Sequence, residues 1–350
     1  MSEKKSNRRH SGRPTVSDVA RFAQCSPMTV SRVINGHPSV RTEAREAVEA
    51  AIKALNYAPN RAARSLAGAG QIRIALLYTN PSAAYLSELL LGCLDEASRA
   101  DVHLVVERCA FGEDEEKVVK RQMAGGIDGF LLPPPLCDEK ALLDLLHGLK
   151  VRAVQIGPGQ ADPHHDAVMI DDYQAAYDMT RHIMALGHRR IGFIIGNPHQ
   201  SASGLRLSGF RDAMAAGQLA VEEDLVRQGS FTYRSGFDGA AALLELAAPP
   251  TAIFASNDDM AAGCVAAAQR QHLEVPQDLT VCGFDDTAIA TKIWPELTTV
   301  RQPIHAMACT ALNLLVERIR AERGADRSAV QHKVLDYELV KRDSDAELLP

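Results

Sequence analysis

The segment "SPMTVSRVIN", Ser26–Asn35, combines a proline with four β-branched residues, an unusual composition for a helix. β-branched residues are middling helix formers, and proline breaks a helix interior. Ser26 is a good N-cap, however, and Pro27 then falls at the first helical position, where proline is tolerated. The apolar residues form one stripe at i, i+3 and i+4: Val30, Val33 and Ile34. We therefore predict a short amphipathic helix that ends at Asn35–Gly36.

Two further helices are predicted on either side of this segment. In "TVSDVARFAQ", Thr15 and Asp18 have the spacing of a capping box, which predicts a helix over about residues 16–23. The run "REAVEAAIKALNY" predicts a third helix, whose apolar face is Val48, Ile52 and Leu55. Arg41 stands where a capping side chain is usual, so Thr42 is the predicted cap. Two short adjacent helices, the second with a polar, basic outer face, form a helix-turn-helix.

The distribution of charge supports a nucleic-acid partner, although the formal net charge of −6 alone argues against one. Residues 1–70 contain 12 Lys+Arg and 5 Asp+Glu, whereas residues 71–350 contain 26 and 39. A basic head on an acidic body indicates a polyanion-binding module joined to a sensor or an enzyme. The alternative is a solvated basic tail.

Residues 71–350 alternate apolar β runs with amphipathic helical runs. One series of strands is "IRIALLY", "VHLVVER", "GFLLPP" and "RAVQIG", and after "DAVMIDD" a second is "IGFIIG", "TAIFAS" and "LTVCGF". Repeated strand–helix units predict parallel sheets with helices on both faces, and two series predict two α/β lobes. Ligands of such sheets bind beyond the carboxyl ends of the strands, which here carry "TNPSAAY", "GNPHQSASGLR", "SNDD" and "FDDT".

Several other classes of site are not predicted. The seven cysteines are scattered without C-x-x-C spacing, which indicates reduced thiols and no zinc site. The basic N-terminus lacks a following apolar stretch, so we expect no secretory signal and a cytoplasmic protein. His164–His165 is expected to face solvent, and Trp294 either lines the ligand site or packs in the core. No metal or other cofactor is predicted, because three acidic pairs lie on separate strand ends without histidine spacing: Asp171–Asp172, Asp258–Asp259 and Asp285–Asp286.

The segment at residues 15–68 resembles the DNA-binding head of the LacI/GalR family of bacterial transcription regulators. The shared motifs are D-V-A in the first helix, T-V-S-R-V-I-N in the second, and N-Y-x-P-N-x-x-A-R-S-L after the third. The resemblance implies that the second helix enters the major groove and that Pro27, Met28 and Arg32 read bases. Arg32 can donate two hydrogen bonds to guanine, whereas Pro27 and Met28 would touch a thymine methyl group or read shape. The positions that resemble phosphate contacts are Thr15, Thr29, Ser31 and Asn35.

The segment "PNRAARSLAG", Pro59–Gly68, resembles the hinge helix of the same family. By that resemblance Asn60, Ala63 and Arg64 lie in or near the minor groove, and Leu66 is the apolar wedge that kinks the duplex. The alternative is a plain linker with a helical tendency.

The body resembles the periplasmic-binding-protein-like sensor of this family, with "ELTTVRQP" and "YELVKRDS" as the second crossover and the last strand. The resemblance implies a basic tail (1–13), a helix-turn-helix domain (14–58), a hinge helix (59–69) and a ligand-binding and dimerisation domain (70–350). Its N-lobe would be about 71–171 plus 303–330, and its C-lobe about 172–302 plus 331–350. The implied effector-binding residues are Tyr85, Arg206, Phe231, Asn257, Asp285 and Gln302.

We therefore expect a homodimeric transcription regulator that represses carbohydrate-utilisation genes. It would bind an inverted-repeat operator in double-stranded DNA and a small effector, a sugar or sugar derivative. Rings stack on the apolar face of a sugar, and Asp, Asn and Arg hydrogen-bond its hydroxyl groups. The alternatives are a solute-binding protein without a regulatory role and a sugar-acting enzyme. No Walker A motif, nucleophile elbow or dinucleotide fingerprint supports an enzyme.

Overall fold

The computed structural model describes residues 14–34, 40–55, 57, 71–110, 115–323 and 329–348. The chain divides into two units, residues 1–71 and 72–350, which are described separately. Five of the predicted DNA-contact residues lie outside the described residues: Asn35, Asn60, Ala63, Arg64 and Leu66.

Among its described residues, the first unit contains three helices, α1 (Val16–Phe22), α2 (Pro27–Ile34) and α3 (Thr42–Ala54). The capping box at the start of α1 is present, because the Asp18 amide donates to the Thr15 hydroxyl and the Thr15 amide donates to the Asp18 carboxylate. The Ser26 hydroxyl accepts from the amide of Thr29 at 3.1 Å, and Pro27 begins α2 as predicted. The shared core of the three helices is Val19, Ala20, Val30, Val33, Val48, Ala51 and Tyr57.

The start of α3 differs from the prediction. Thr42 is the first residue of α3 and not its cap, because Arg41 occupies the N-cap position with no side-chain hydrogen bond. Val48 of the predicted apolar face is fully buried in the core, and Ile52 and Leu55 are partly buried and pack against it.

The second unit contains two sheets of six strands each. The first has the order β11-β5-β4-β3-β1-β2 and the second the order β12-β10-β9-β8-β6-β7, all parallel except β12, which pairs antiparallel with β10. The strands are β1 (Arg73–Tyr78), β2 (His103–Arg108), β3 (Gly129–Leu132), β4 (Arg152–Ile156), β5 (Asp166–Met169), β6 (Ile191–Ile195), β7 (Val226–Gln228), β8 (Ala252–Ala255), β9 (Thr280–Asp285), β10 (Thr298–Arg301), β11 (His332–Val334) and β12 (Glu338–Val340).

Helices cover both sheets. They are α4 (Ala83–Ala100), α5 (Glu115–Ala124), α6 (Lys140–Gly148), α7 (Asp172–Ala185), α8 (Ser201–Ala216), α9 (Tyr233–Leu244), α10 (Asp258–Arg270) and α11 (Ile304–Arg323). The central strands β3, β8 and β9 are buried along their whole length, as parallel strands covered on both faces require. The predicted class of two α/β lobes with parallel sheets is confirmed.

The C-terminal residues differ from the predicted lobe assignment. Residues 331–350 were assigned to the C-lobe, but β11 pairs with β5 in the first sheet, so only β12 and the following residues join the second. Both β11 and β7 are missing from the predicted strands. Each has three residues and lies at a sheet edge, so neither carries a long apolar run.

Two helices of the first lobe pack closely at Gly92. A Cβ atom on Gly92 of α4 would lie 2.4 Å from the carbonyl oxygen of His305 in α11, so α4 and α11 approach nearly backbone to backbone. A glycine is therefore required at this contact.

We predict that Gly92→Ala destabilises the protein by roughly 1–3 kcal/mol, because overpacking forces the two helices apart. Gly204, within α8, is the control, because a Cβ atom there meets nothing within 4 Å. Gly204→Ala should stabilise by about 0.5–1 kcal/mol through helix propensity. Urea denaturation of both variants measures the difference, and equal stabilities would contradict the close packing.

Candidate functional site

The outer face of α2 carries the base-reading residues predicted from the sequence. Pro27, Met28, Ser31 and Arg32 are exposed, with 65% of Met28 accessible, while Val30 and Val33 on the opposite face are buried. These four side chains are therefore accessible to a partner on the outer face of α2.

The hydroxyl groups predicted as phosphate contacts have local partners. The Thr15 hydroxyl donates to Asp18 at 2.7 Å, and the Thr29 hydroxyl lies 2.9 Å from the Ser26 hydroxyl. These bonds hold the starts of α1 and α2. A phosphate contact by either hydroxyl would therefore use its remaining hydrogen-bonding capacity or replace the local bond.

All six predicted effector-binding residues line one cleft at the carboxyl ends of the two sheets. The cleft holds about 30 Å³ of open volume, so its walls are almost in contact. Its lining also includes residues that the prediction omitted, among them Asn80, Ser82, Asp172 and Gln200.

A buried guanidinium occupies the centre of the cleft. Arg206 projects from α8, where its Nε donates to Asp172 at 2.8 Å and its Nη1 donates to the carbonyl of Ser256. Nη1 also lies 3.9 Å from Asp285, and Cζ lies 3.5 Å from the centroid of the Phe284 ring. Arg206 thus has an ion-pair role inside the protein in addition to facing the cleft.

Asp285 has a strained backbone and a perturbed carboxyl group. Its φ is +111° and that of Asp286 is +56°, values that non-glycine residues rarely adopt. Gln302 donates from Nε2 to Asp285 at 2.5 Å. Burial raises the pKa of Asp285 to about 7, and the opposing effect of Arg206 is smaller. Burial likewise raises the pKa of Asp172.

The Phe231 ring is held in place by Asn257 and Gly196. The Asn257 amide nitrogen donates to the Phe231 carbonyl at 3.2 Å, and its oxygen accepts from Met260 at 2.9 Å, which caps α10. Phe231 has a φ of +59°, and a Cβ atom on Gly196 would lie 1.9 Å from its ring. Only glycine at position 196 leaves space for this ring.

Gln200 is the most informative residue that the sequence analysis missed. Its side-chain nitrogen is buried and has no hydrogen-bond partner within the described part of the chain, although it lines the cleft. A buried amide donor without a partner costs about 1–3 kcal/mol, which a bound ligand can recover. Gln200 could have been predicted as a cleft residue from its position in the strand-end segment "GNPHQSASGLR". Asp172 was considered only as part of an acidic pair.

Ser82 and Ser201 make polar contacts that join the cleft walls. Ser82, from the first lobe, donates to Asp259 of α10. Ser201, at the start of α8, donates to Asp138 and accepts from the amide of Gly159 at 2.8 Å. Neither pair could be predicted from sequence, because each joins residues from different lobes.

Two other expectations about single residues were wrong. His165 does not face solvent but is buried, with Nε2 3.0 Å from the Leu143 carbonyl. Trp294 neither lines the cleft nor packs in the core, because 74% of it is exposed. Within the described ranges, no group of three metal-ligating side chains converges, and no helix is long and apolar enough to cross a membrane.

We predict that Asp285 makes stability depend on pH. Because its pKa is about 7 in the folded protein and about 3.9 unfolded, the free energy of unfolding should fall as pH rises between these values. Asp285→Asn should remove this dependence, because the amide does not titrate.

The pKa of Asp345 is shifted in the opposite direction from that of Asp285. Burial raises its pKa, but hydrogen bonds from His182 and Thr298 outweigh burial and lower it overall. Asp345→Asn should therefore reduce stability at neutral pH. Urea titrations across the pH range test both variants, and a wild-type slope retained in Asp285→Asn would refute the assignment.

Comparison with known proteins identifies the family. Residues 15–60 match the model of bacterial regulatory proteins of the lacI family, and residues 180–344 match the periplasmic binding protein-like domain. The chain is 33% identical over 339 residues to the HTH-type transcriptional repressor PurR of Escherichia coli O1:K1 / APEC, which covers 95% of this chain and 97% of that protein.

Two solved structures have the same architecture. A transcriptional regulator, CelR, in complex with cellobiose is 31% identical, with a TM-score of 0.72 and coverage of 95% of this chain and 100% of that one. The lac repressor dimer bound to operator and the anti-inducer ONPF is 27% identical, with a TM-score of 0.74 and coverage of 95% and 99%. These relatives are regulators, which confirms that the protein is not an enzyme. The chain belongs to the lacI family of bacterial regulatory proteins and is a DNA-binding transcription repressor with an effector-binding domain.

Proposed function

We propose that this protein represses carbohydrate-utilisation genes and that a sugar bound in the cleft controls its affinity for an inverted-repeat operator. The observation that carries the proposal is the cleft itself, where the Phe231 ring, the Asp285 carboxyl group and the unpartnered amide of Gln200 meet. A ring for the apolar face of a sugar and donors and acceptors for its hydroxyl groups are the expected chemistry. The cellobiose complex of the similar regulator CelR supports the same ligand class.

The charge of the cleft favours an uncharged ligand. Asp172 and Asp285 face one guanidinium, that of Arg206, and Asp259 lies beside Ser82 at the cleft wall. An anionic effector would add negative charge near buried carboxyl groups, which is unfavourable. Tyr85, Asn257 and Gln302 complete the proposed binding residues, of which Asn257 acts mainly by holding Phe231.

Effector binding would change DNA affinity through a movement of the two lobes. We infer that the narrow cleft widens when a sugar enters and that the contacts Ser82–Asp259 and Ser201–Asp138 then break. We infer that this movement changes the first lobes at the dimer interface and, through them, the pairing of the hinge segments at 59–69. By thermodynamic reciprocity, an effector that weakens DNA binding must bind more weakly to the DNA-bound form.

A homodimer is the proposed active assembly. Leu91 and Leu94 lie three residues apart on one face of α4, and 53% of each is exposed. Adjacent exposed leucines of this kind are typical of an interface. The similar lac repressor was solved as a dimer on its operator.

Operator recognition is assigned to α2. Arg32→Ala should reduce specific operator affinity by about 1–3 kcal/mol, because a guanidinium that donates to guanine is removed. The measurement is selection of host genomic fragments by full-length protein, followed by titration of the enriched inverted repeat. Arg21→Ala is the control, since it removes an equal charge from α1. Equal losses in both variants would indicate only a general electrostatic effect and would refute base reading by Arg32.

Effector recognition is assigned to the cleft, with Gln200 as the sharpest test. Sugars suggested by the genes beside the enriched operator are titrated into full-length protein. Gln200→Leu should lower effector affinity about tenfold, because a charge-neutral hydrogen bond in a buried site is lost, and should retain operator binding. Gln277→Leu, at an exposed position, is the control. Unchanged effector affinity in Gln200→Leu would place the effector elsewhere.

A further inference from the structure

A second cavity lies at the opposite end of the first sheet from the effector cleft. It holds about 400 Å³ and is bounded by the end of α6, the starts of β4 and β5, and α11. This volume is within the range of small-molecule sites. The cleft is at the carboxyl ends of the strands and this cavity is at their amino ends, so the two share no lining residue.

The walls of this cavity are predominantly cationic. Lys150, Arg152 and Arg318 line it, and Asp166 is its one acidic lining residue among those described. Arg318 donates to both carboxylate oxygens of Asp166 at 2.6 Å, and the amide of Gln331 donates to Oδ1 at 2.7 Å. The Asp166 charge is therefore already neutralised inside the protein and does not balance Lys150.

Imidazole groups form the second part of the wall. The rings of His147 and His164 are exposed, with centroids 4.2 Å apart and a tilt of 31°. His165 lies behind them, buried and bound to the Leu143 carbonyl, and burial lowers its pKa. His165 thus holds the loop, while the exposed rings of His147 and His164 line the cavity. The described side chains give no third metal ligand here, so the arrangement suits an anion better than a metal ion.

Lys150 occupies a position that normally favours glycine. It follows α6 with a φ of +56°, and its amide donates to the His147 carbonyl at 3.0 Å. A glycine would adopt this left-handed conformation without steric cost. The turn places the lysine backbone beside His147, at the mouth of the cavity.

We propose that this cavity binds a small phosphate-type anion, such as a phosphorylated metabolite, through Lys150, His147 and His164. The Lys150 ammonium and the imidazole rings of His147 and His164 all line this cavity, and charge-assisted hydrogen bonds from such groups bind anions strongly. The site is distinct from the effector cleft, where carboxyl groups predominate. The regulator would then bind two kinds of small molecule: a neutral polar effector in the cleft and an anion in this cavity.

The test is calorimetric titration of the full-length protein with sodium pyrophosphate, at an ionic strength held constant with chloride. Wild type should show saturable binding of one pyrophosphate per chain. Lys150→Gln should lower the affinity about tenfold, because one charge-assisted interaction is removed. Lys140→Gln is the matched control, since Lys140 lies at the other end of α6 and pairs with Asp144; its affinity should equal that of wild type.

The variant Lys150→Gly distinguishes loss of the anion-binding side chain from loss of stability. Glycine suits the φ of +56°, so the thermal midpoint should be unchanged or higher while pyrophosphate binding falls as in Lys150→Gln. Asp285→Asn in the effector cleft should retain pyrophosphate binding, so failure of the sugar proposal would leave this result intact. His164→Gln should also weaken binding.

Three results would overturn the proposal. They are the absence of saturable binding, equal affinity in wild type and Lys150→Gln, and equal weakening by Lys140→Gln. A random-sequence DNA duplex is titrated in parallel. If Lys150→Gln weakened duplex binding as strongly as pyrophosphate binding, the cavity would contact nucleic-acid phosphates and not a small anion.

Discussion

One buried guanidinium connects the parts of the effector cleft. Arg206 extends from α8, pairs with Asp172 at the start of α7, donates to the main chain at the end of β8, and approaches Asp285 at the end of β9. Two helices and two strand ends therefore depend on a single charge. Removing one partner of a buried ion pair costs about 3–5 kcal/mol, because the other charge is left without compensation. The shape of the cleft thus depends on electrostatics as well as on the surrounding apolar core.

The ratio of carboxyl groups to cations around Arg206 also determines which ligands the cleft can bind. Two carboxyl groups share one cation, and burial raises the pKa of both. A carboxyl group that keeps its proton near neutral pH donates as well as accepts, which suits hydroxyl groups, since each of them does both. The side-chain nitrogen of Gln200 adds a donor that has no partner among the described residues. Neutral polar ligands are therefore favoured over anions, the reverse of the preference proposed for the cavity beside Lys150.

The parts of the structure that could be predicted from sequence are those determined by local pattern. Ser26 and Pro27 begin α2 as capping rules require. Four of the six expected effector-binding residues lie in the strand-end segments, whereas Phe231 and Gln302 were expected only from the family resemblance. The local sequence pattern does not show which distant residues contact each other in the fold. The Ser82–Asp259 contact and the burial of His165 were therefore not predicted. The strand β11 was missed because a three-residue edge strand has no apolar periodicity, and its pairing with β5 joins residues distant in sequence.

The two proposed small-molecule sites lie at opposite ends of the same parallel strands. The strand β4 runs from Arg152 beside the cationic cavity to Ile156 near the cleft, which at about 3.3 Å per residue is about 13 Å. Asp166 similarly begins β5, and Asp172 follows its other end after the crossover. A packed parallel sheet transmits displacement with little compression, because protein interiors are as dense as organic crystals. An anion that moved the amino ends of β4 and β5 would therefore alter the crossover at Asp171–Asp172, where the Arg206 ion pair begins. By reciprocity, the effector would then change the affinity for the anion by the same factor.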